Sequence, residues 1–214
     1  MTDTDIAGTA LAAPADRLVL EMWRTPVYQA DCAGAAEHLP ALRGLILDAA
    51  RPPGATGADD LEPGVIESSR TMQNWDAPAI GWLRRQIGIA GDALARAVLG
   101  DAAGEVGEYE IEAWAVVHRS GAAPRPDARR DSAWSGVLPV DGGDGDAGHL
   151  RLLDPRPAAV DRPASPGVVR YSPVPGRMIA FPSWQAPRMV AAPAGARTRI
   201  AVAWTISYAR GRAS

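Results

Sequence analysis

The chain of 214 residues is 47% hydrophobic and 22% charged with a formal net charge of −3, the composition of a globular domain with a real hydrophobic core. All 22 basic residues are arginine, which excludes Schiff-base lysine chemistry and a lysine-type phosphate loop. One cysteine, Cys32, and three histidines, His38, His118 and His149, exclude a disulfide framework and a cysteine-rich zinc site, and the slightly acidic balance speaks against a nucleic-acid binder.

Residues 1–17 begin acidic and lack the basic and apolar segments of a leader, so they read as a frayed tail on a cytoplasmic protein. No apolar run approaches the ~18 residues of a membrane span. Residues 18–28 read as a strand. Over residues 33–50, Leu39, Leu42, Leu45 and Ile46 fall on one helix face. Residues 52–64, rich in Pro, Gly and Asp, form a loop. A second helix spans 77–87, with Pro78 tolerated in its first turn and Ile80, Leu83 and Ile87 in register, and continues after Gly88 into 92–99.

From residue 108 the texture changes to short strands between turns, as in an antiparallel sandwich or jelly roll. Candidate strands are 110–118, 134–140, 149–153, 177–181, 188–192 and 198–208, with 141–148 as a hairpin loop. The Pro-rich connections 121–130 and 155–175 are too long for tight turns, and loops of that length often carry function. The expected organisation is a single domain over 18–210, helical from about 30 to 100 and β from about 108 to 208.

Five blocks carry a resemblance: Ala113-Trp114-Ala115 leading to Arg119 and Gly121; Ser132-Ala133-Trp134-Ser135-Gly136-Val137; Leu152-Leu153-Asp154-Pro155-Arg156; Phe181-Pro182-Ser183-Trp184; and Arg199-Ile200-Ala201-Val202-Ala203-Trp204. In order and spacing they resemble the bacterial 2-oxoglutarate- and Fe(II)-dependent oxygenases of the prolyl-hydroxylase type. The resemblance covers about the last hundred residues. It implies a mainly β domain, a double-stranded β-helix (a cupin-like jelly roll), with the N-terminal helices packed on one side.

It also implies an iron site built from a His-x-His or His-x-Asp pair and a distal histidine. The corresponding positions here are Asp127, Arg129 and Pro187. A guanidinium is a permanent cation and proline has no side-chain donor, so this set leaves one carboxylate and no ferrous site. Neither Fe(II) nor 2-oxoglutarate is therefore expected as a cofactor. Arg199 falls where the resemblance implies a guanidinium paired with a carboxylate of 2-oxoglutarate; the alternative is an arginine at the barrel mouth paired with a neighbouring aspartate.

Trp114, Val116 and His118 alternate on one strand face, which the resemblance implies points into the barrel. His118 then faces Asp127, a His–Asp pair able to move a proton; the alternative is a buried structural histidine. Asp127 and Arg129 also read as solvated loop charges, Trp134 and Trp184 as core aromatics or ligand contacts, His38 as a packing residue and His149 as a surface residue. Arg119, Arg125, Arg129, Arg130, Arg188 and Arg199 together suggest an anionic ligand or a protein-docking surface.

The expected function is an iron-independent, repurposed member of this superfamily acting by acid/base chemistry on a small anionic metabolite in bacterial specialised biosynthesis. His118 and Asp127 would be catalytic, and Arg129, Arg199, Arg188, Trp134 and Trp184 would contact the substrate. The alternatives are a non-catalytic protein that binds a ligand, a catalytic partner or a second copy of itself, and an ordinary 2-oxoglutarate oxygenase. No nucleic-acid or membrane partner is expected.

Overall fold

The computed structural model describes residues 25–51, 64–118, 131–143, 149–153, 168–185, 187–189 and 197–209. In chain order, β1 (Tyr28–Asp31), α1 (Ala35–Ala49), β2 (Val65–Glu67) and a 3-10 turn (Met72–Asn74) lead to α2 (Pro78–Leu99). A second 3-10 turn (Gly100–Glu105) then leads into β3 (Tyr109–His118). The β half continues with β4 (Trp134–Asp141), β5 (Leu150–Leu153), β6 (Val168–Tyr171), β7 (Arg177–Pro182), β8 (Pro187–Met189) and β9 (Arg199–Tyr208).

Two antiparallel sheets result. The large one has the order β1-β7-β4-β9-β3-β2, and the small one β6-β5-β8. β3 and β9 pair over their full length, from Tyr109 opposite Tyr208 to His118 opposite Arg199. Strand alternation divides the large sheet into two faces. On one face Ile200, Val202, Trp204 and Ile206 of β9 join Ala113, Ala115 and Val117 of β3 against Leu42 and Ile46 of α1 and Ile80, Leu83, Ile87 and Leu94 of α2. On the other, Ile179 and Phe181 of β7 meet Leu150 and Leu152 of β5, and the small sheet closes over the large one.

α2 runs unbroken through Gly88 and Gly91, because these are points of close approach: a Cβ on Gly91 would strike Ile206, and one on Gly88 would come within 2.8 Å of the Tyr109 hydroxyl. Gly136 on β4 has the same reason. A Cβ there would collide with the Trp204 indole, which lies across the glycine. The exposed edge of β3 beyond β2 is capped by side chains, the Ala115 and Ala113 N–H groups donating to Ser68 Oγ and Gln73 Oε1. Cys32 closes β1: its N–H donates to the Gly176 carbonyl at 2.8 Å, and its thiol is buried.

Several expectations need correction. Of the strand expected over 18–28, residues 25–27 are not strand and β1 begins at Tyr28, opposite Ala180 of β7; residues 18–24 lie outside the described residues. β4 and β5, on either side of the expected hairpin loop 141–148, do not pair with each other. β4 already has β7 and β9 as neighbours, so the chain leaves the large sheet and enters the small one at β5. Within the stretch read as a connection from 155 to 175 lies β6, whose Val-Val-Arg-Tyr run is short and framed by prolines. β2 was not anticipated. The strand expected over 188–192 is described as β8, Pro187–Met189. Among the described residues no helix is long and apolar enough to cross a membrane.

Candidate functional site

The face of the large sheet turned toward the small sheet is where polar residues interrupt the apolar pattern. At the end of the β3–β9 ladder, His118 and Arg199 stand directly opposite one another, and each is only 4% exposed. Directly opposed residues share a face, so both side chains enter the space between the sheets. That space is a cavity of about 230 Å³ whose walls include Val137, Pro139, Leu150 and Ile179.

Two carboxylates reach its surroundings, and both are already engaged. Arg177 donates from Nε and Nη2 to the two Asp31 oxygens at 2.7 and 3.1 Å, joining β7 to β1. Asp141 follows a bulge in β4 that shifts its register from Pro139 opposite Ala201 to Asp141 opposite Ile200. There it accepts from Arg43 Nε of α1 at 3.0 Å and from the Gly143 N–H at 3.1 Å. Burial pushes the Asp141 carboxyl up, but the Gly143 N–H and the Arg43 guanidinium outweigh it and hold the group below its ordinary value.

No carboxylate among the described residues pairs with His118 or Arg199. Among the described residues, His118 Nδ1 and Arg199 Nη1 are buried and have no hydrogen-bond partner. Burial, reinforced by the Arg199 charge opposite, pushes the imidazole down to about 4, so it is neutral at pH 7. Burial also lowers Arg199, yet a guanidinium stays charged at any physiological pH. A buried cation beside a neutral imidazole, with both aimed at an open space, is an arrangement that can bind an anion.

The other expected site residues fall elsewhere. Asp127 and Arg129, with Arg119, Arg125 and Arg130, lie outside the described residues. Arg188 occupies β8 in register with Arg151, and Pro187 is opposite Leu152. Trp134 is buried on the helix side of the sheet, where its indole N–H donates to the Tyr208 hydroxyl at 3.0 Å; it is a core aromatic and does not line the cavity. Leu138 is buried on that same side, so it does not fill the cavity either. Trp184, expected in the core or on the ligand, is 51% exposed and absent from the cavity walls. The physical reason is the turn after β7: the Ser183 N–H donates to the Ala133 carbonyl and the Gln185 N–H to the Pro182 carbonyl, and the residue between them is turned outward.

His38 packs as expected, stacked on Trp82 with ring centroids 5.1 Å apart. His149, read as a surface residue, is half-buried with a buried Nε2 that has no partner among the described residues. Sequence reasoning missed Gln29, Asp141, Tyr171 and Arg177 around the cavity. Asp141 was hidden in a stretch read only as turn, and Tyr171 in one read only as connection. Among the described residues no group of three His, Cys, Asp or Glu could hold a metal ion.

No family model matches the sequence, and no curated protein matches it. Solved structures do match in fold. A prolyl-4-hydroxylase of Pseudomonas putida superposes with a TM-score of 0.58 at 19% identity, over 87% of this chain and 94% of that one. EvdO2 of Micromonospora carbonacea var. aurantiaca gives 0.55 at 16% identity, over 89% of each chain. SnoN, a non-heme α-ketoglutarate-dependent epimerase from nogalamycin biosynthesis, gives 0.53 at 14% identity, over 87% of this chain and 77% of that one. The chain therefore has the double-stranded β-helix fold of the 2-oxoglutarate/Fe(II) oxygenases, as its sequence blocks suggest.

Proposed function

We propose that the cavity between the sheets binds a small anionic metabolite and that the chain acts on it by metal-independent acid/base chemistry. The observation that carries this reading is the pairing on one open cavity of two buried nitrogens, Arg199 Nη1 and His118 Nδ1, that have no hydrogen-bond partner among the described residues. Arg199 holds the anion. A bound carboxylate beside His118 offsets the charge of Arg199 and brings the imidazole back up toward its ordinary range, so the histidine becomes a stronger base when the site is filled. It then takes a proton from the ligand, or from water in a hydrolysis, and passes it to the leaving group or back to the product, which suits elimination, cyclisation or hydrolysis. Asp127 would orient or relay that proton, and Arg129 and Arg188 would add to the positive field.

The donor set read from the sequence does not fit iron. Asp127 supplies one carboxylate, while Arg129 and Pro187 supply no lone pair to a metal. A place in specialised biosynthesis is supported by the fold's likeness to SnoN.

The test uses the full chain stripped with EDTA. Calorimetric titration with acetate, phosphate and 2-oxoglutarate is combined with incubation in a bacterial metabolite extract read by mass spectrometry. Binding that is lost in Arg199→Met, with turnover in EDTA that is lost in His118→Ala, is the expected result. Binding without turnover would make the protein a ligand-binding pseudoenzyme or accessory subunit. Iron-dependent consumption of 2-oxoglutarate would make it an ordinary oxygenase and overturn the proposal.

A further inference from the structure

The outer edge of β3 is only partly covered. β2 pairs with it from Val116 to His118, and Ser68 Oγ and Gln73 Oε1 take the Ala115 and Ala113 N–H groups, so the odd-numbered residues of β3 direct their backbone away from β9. By the same alternation Ile111 and Tyr109 direct theirs to that side. Among the described residues no strand pairs with them there. Beside this stretch runs an open groove of about 1110 Å³. Its far bank is a stripe on one face of α2, formed by Gly81, Arg84, Arg85, Gly88, Ile89 and Asp92. Its near bank is β3, whose Glu110 and Glu112 are exposed and stand in register with Ser207 and Thr205, on the face turned away from α2. Among the described residues, neither these two glutamates nor Arg84 and Arg85 are in an ion pair. A place for one more strand thus lies between a row of carboxylates and a pair of guanidiniums.

We infer that this edge takes an extended segment of a partner protein, which adds to the sheet beside β3 and presents two basic side chains two residues apart with an acidic one between them. Directly opposed residues share a face, so the positions opposite Glu110 and Glu112 meet carboxylates, and the residue between them, opposite Ile111, turns toward Arg84 and Arg85. Main-chain bonds to Ile111 and Tyr109 serve any extended chain, and the alternating charges select this one. A second copy of the chain fits poorly, because antiparallel pairing of two β3 edges sets Glu110 and Glu112 against their own counterparts. Size agrees. At ~30 Å³ per water-sized group the groove holds on the order of 35 such groups, or about four residues, the length of the free edge from Tyr109 to Glu112. Arg199 and His118 sit at the opposite end of the β3–β9 ladder, so the edge is separate from the cavity.

Calorimetric titration of the full chain with the capped peptide Thr-Val-Lys-Glu-Lys-Val-Thr tests this. The peptide is expected to bind, while Thr-Val-Lys-Lys-Glu-Val-Thr, which has the same composition without the alternation, binds at least tenfold more weakly. The charge-swapped Thr-Val-Glu-Lys-Glu-Val-Thr is expected to show no binding. A chain carrying Glu110→Lys and Glu112→Lys is expected to reverse the order, binding the charge-swapped peptide more tightly than the first. Both glutamates are exposed, so an unchanged midpoint in urea unfolding checks that this variant folds. No binding of the first peptide, equal binding of the rearranged one, or an order that the double variant leaves unchanged would overturn the inference. So would sedimentation showing a dimer of the free chain that the double variant dissociates, which would give the edge to a second copy.

Discussion

The two faces of the large sheet are built from the same strands and do opposite things. Toward the helices, β9 presents Ile200, Val202, Trp204 and Ile206, all buried and packed so closely that Gly136 and Gly91 have no room for a methyl group. Toward the small sheet, the alternate positions of the same strand begin with Arg199, whose partner across the ladder is His118. One face is filled and electrically silent. The other keeps a cavity and a buried cation that has no counter-charge among the described residues. Residues one apart in sequence therefore separate into those that hold the fold and those that give the fold something to hold.

That division can be broken from the helix side first. Trp204→Ala removes the largest fully buried side chain of the core and is expected to cost about 3–5 kcal/mol, read as a lower midpoint in urea unfolding. Arg199→Met, five residues earlier on the opposite face, is expected to act the other way. It removes a buried charge that has no partner among the described residues, so the melting temperature is expected to hold or rise while anion binding falls by more than a hundredfold in calorimetry. A large loss of stability in Arg199→Met would erase the distinction between the faces.

The pH dependence sharpens it. His118 sits at about 4 in the folded chain against about 6.5 when unfolded, so between those values the unfolded chain binds the extra proton and folding becomes less favourable as pH falls. The loss amounts to on the order of 3 kcal/mol by pH 4. Asp141 and Asp31, both lowered below the ordinary aspartate value, lose their contributions only at more acidic pH, so the two windows separate. Urea unfolding of His118→Asn is expected to show a flatter profile from pH 6.5 to 4 than the parent chain, and identical profiles would place the imidazole outside the low-dielectric site. The smallest effect is expected at Trp184. Exposed in its turn, it should change stability by no more than about 0.5 kcal/mol when replaced by alanine and leave carboxylate binding unaltered.

Much of this was legible in the sequence because β3 and β9 are long strands with clean alternation. The period of two that puts Trp204 and Val202 in the core also puts Arg199 on the other side, and the same rule applied to Trp114, Val116 and His118 brings the histidine to meet it. The helices were readable from their periodic apolar positions, although the second was divided at Gly88, where tertiary packing requires a small residue. What failed was whatever depends on where the chain goes after it turns. The Gly- and Asp-rich stretch after β4 signals a reversal without saying which sheet receives the next strand, and β6 is too short to stand out among prolines. Trp184 misled because an indole in a sequence reads as core, while here the backbone bonds of a turn decide its direction. Asp127 and Arg129 lie outside the described residues, so their proposed roles rest on the sequence alone.

Cys32 offers a way to time access to this interior. It is the chain's only thiol, it is buried, and burial raises its pKa, so an alkylating reagent reaches it as thiolate only when the surrounding structure opens. Its amide is bonded to Gly176, beside Arg177, and Arg177 and Gln29 of the same β1–β7 edge border the cavity. The rate of thiol labelling therefore clocks the opening of one wall of the cavity, and its slowing by an added acid would register occupancy without any knowledge of the reaction.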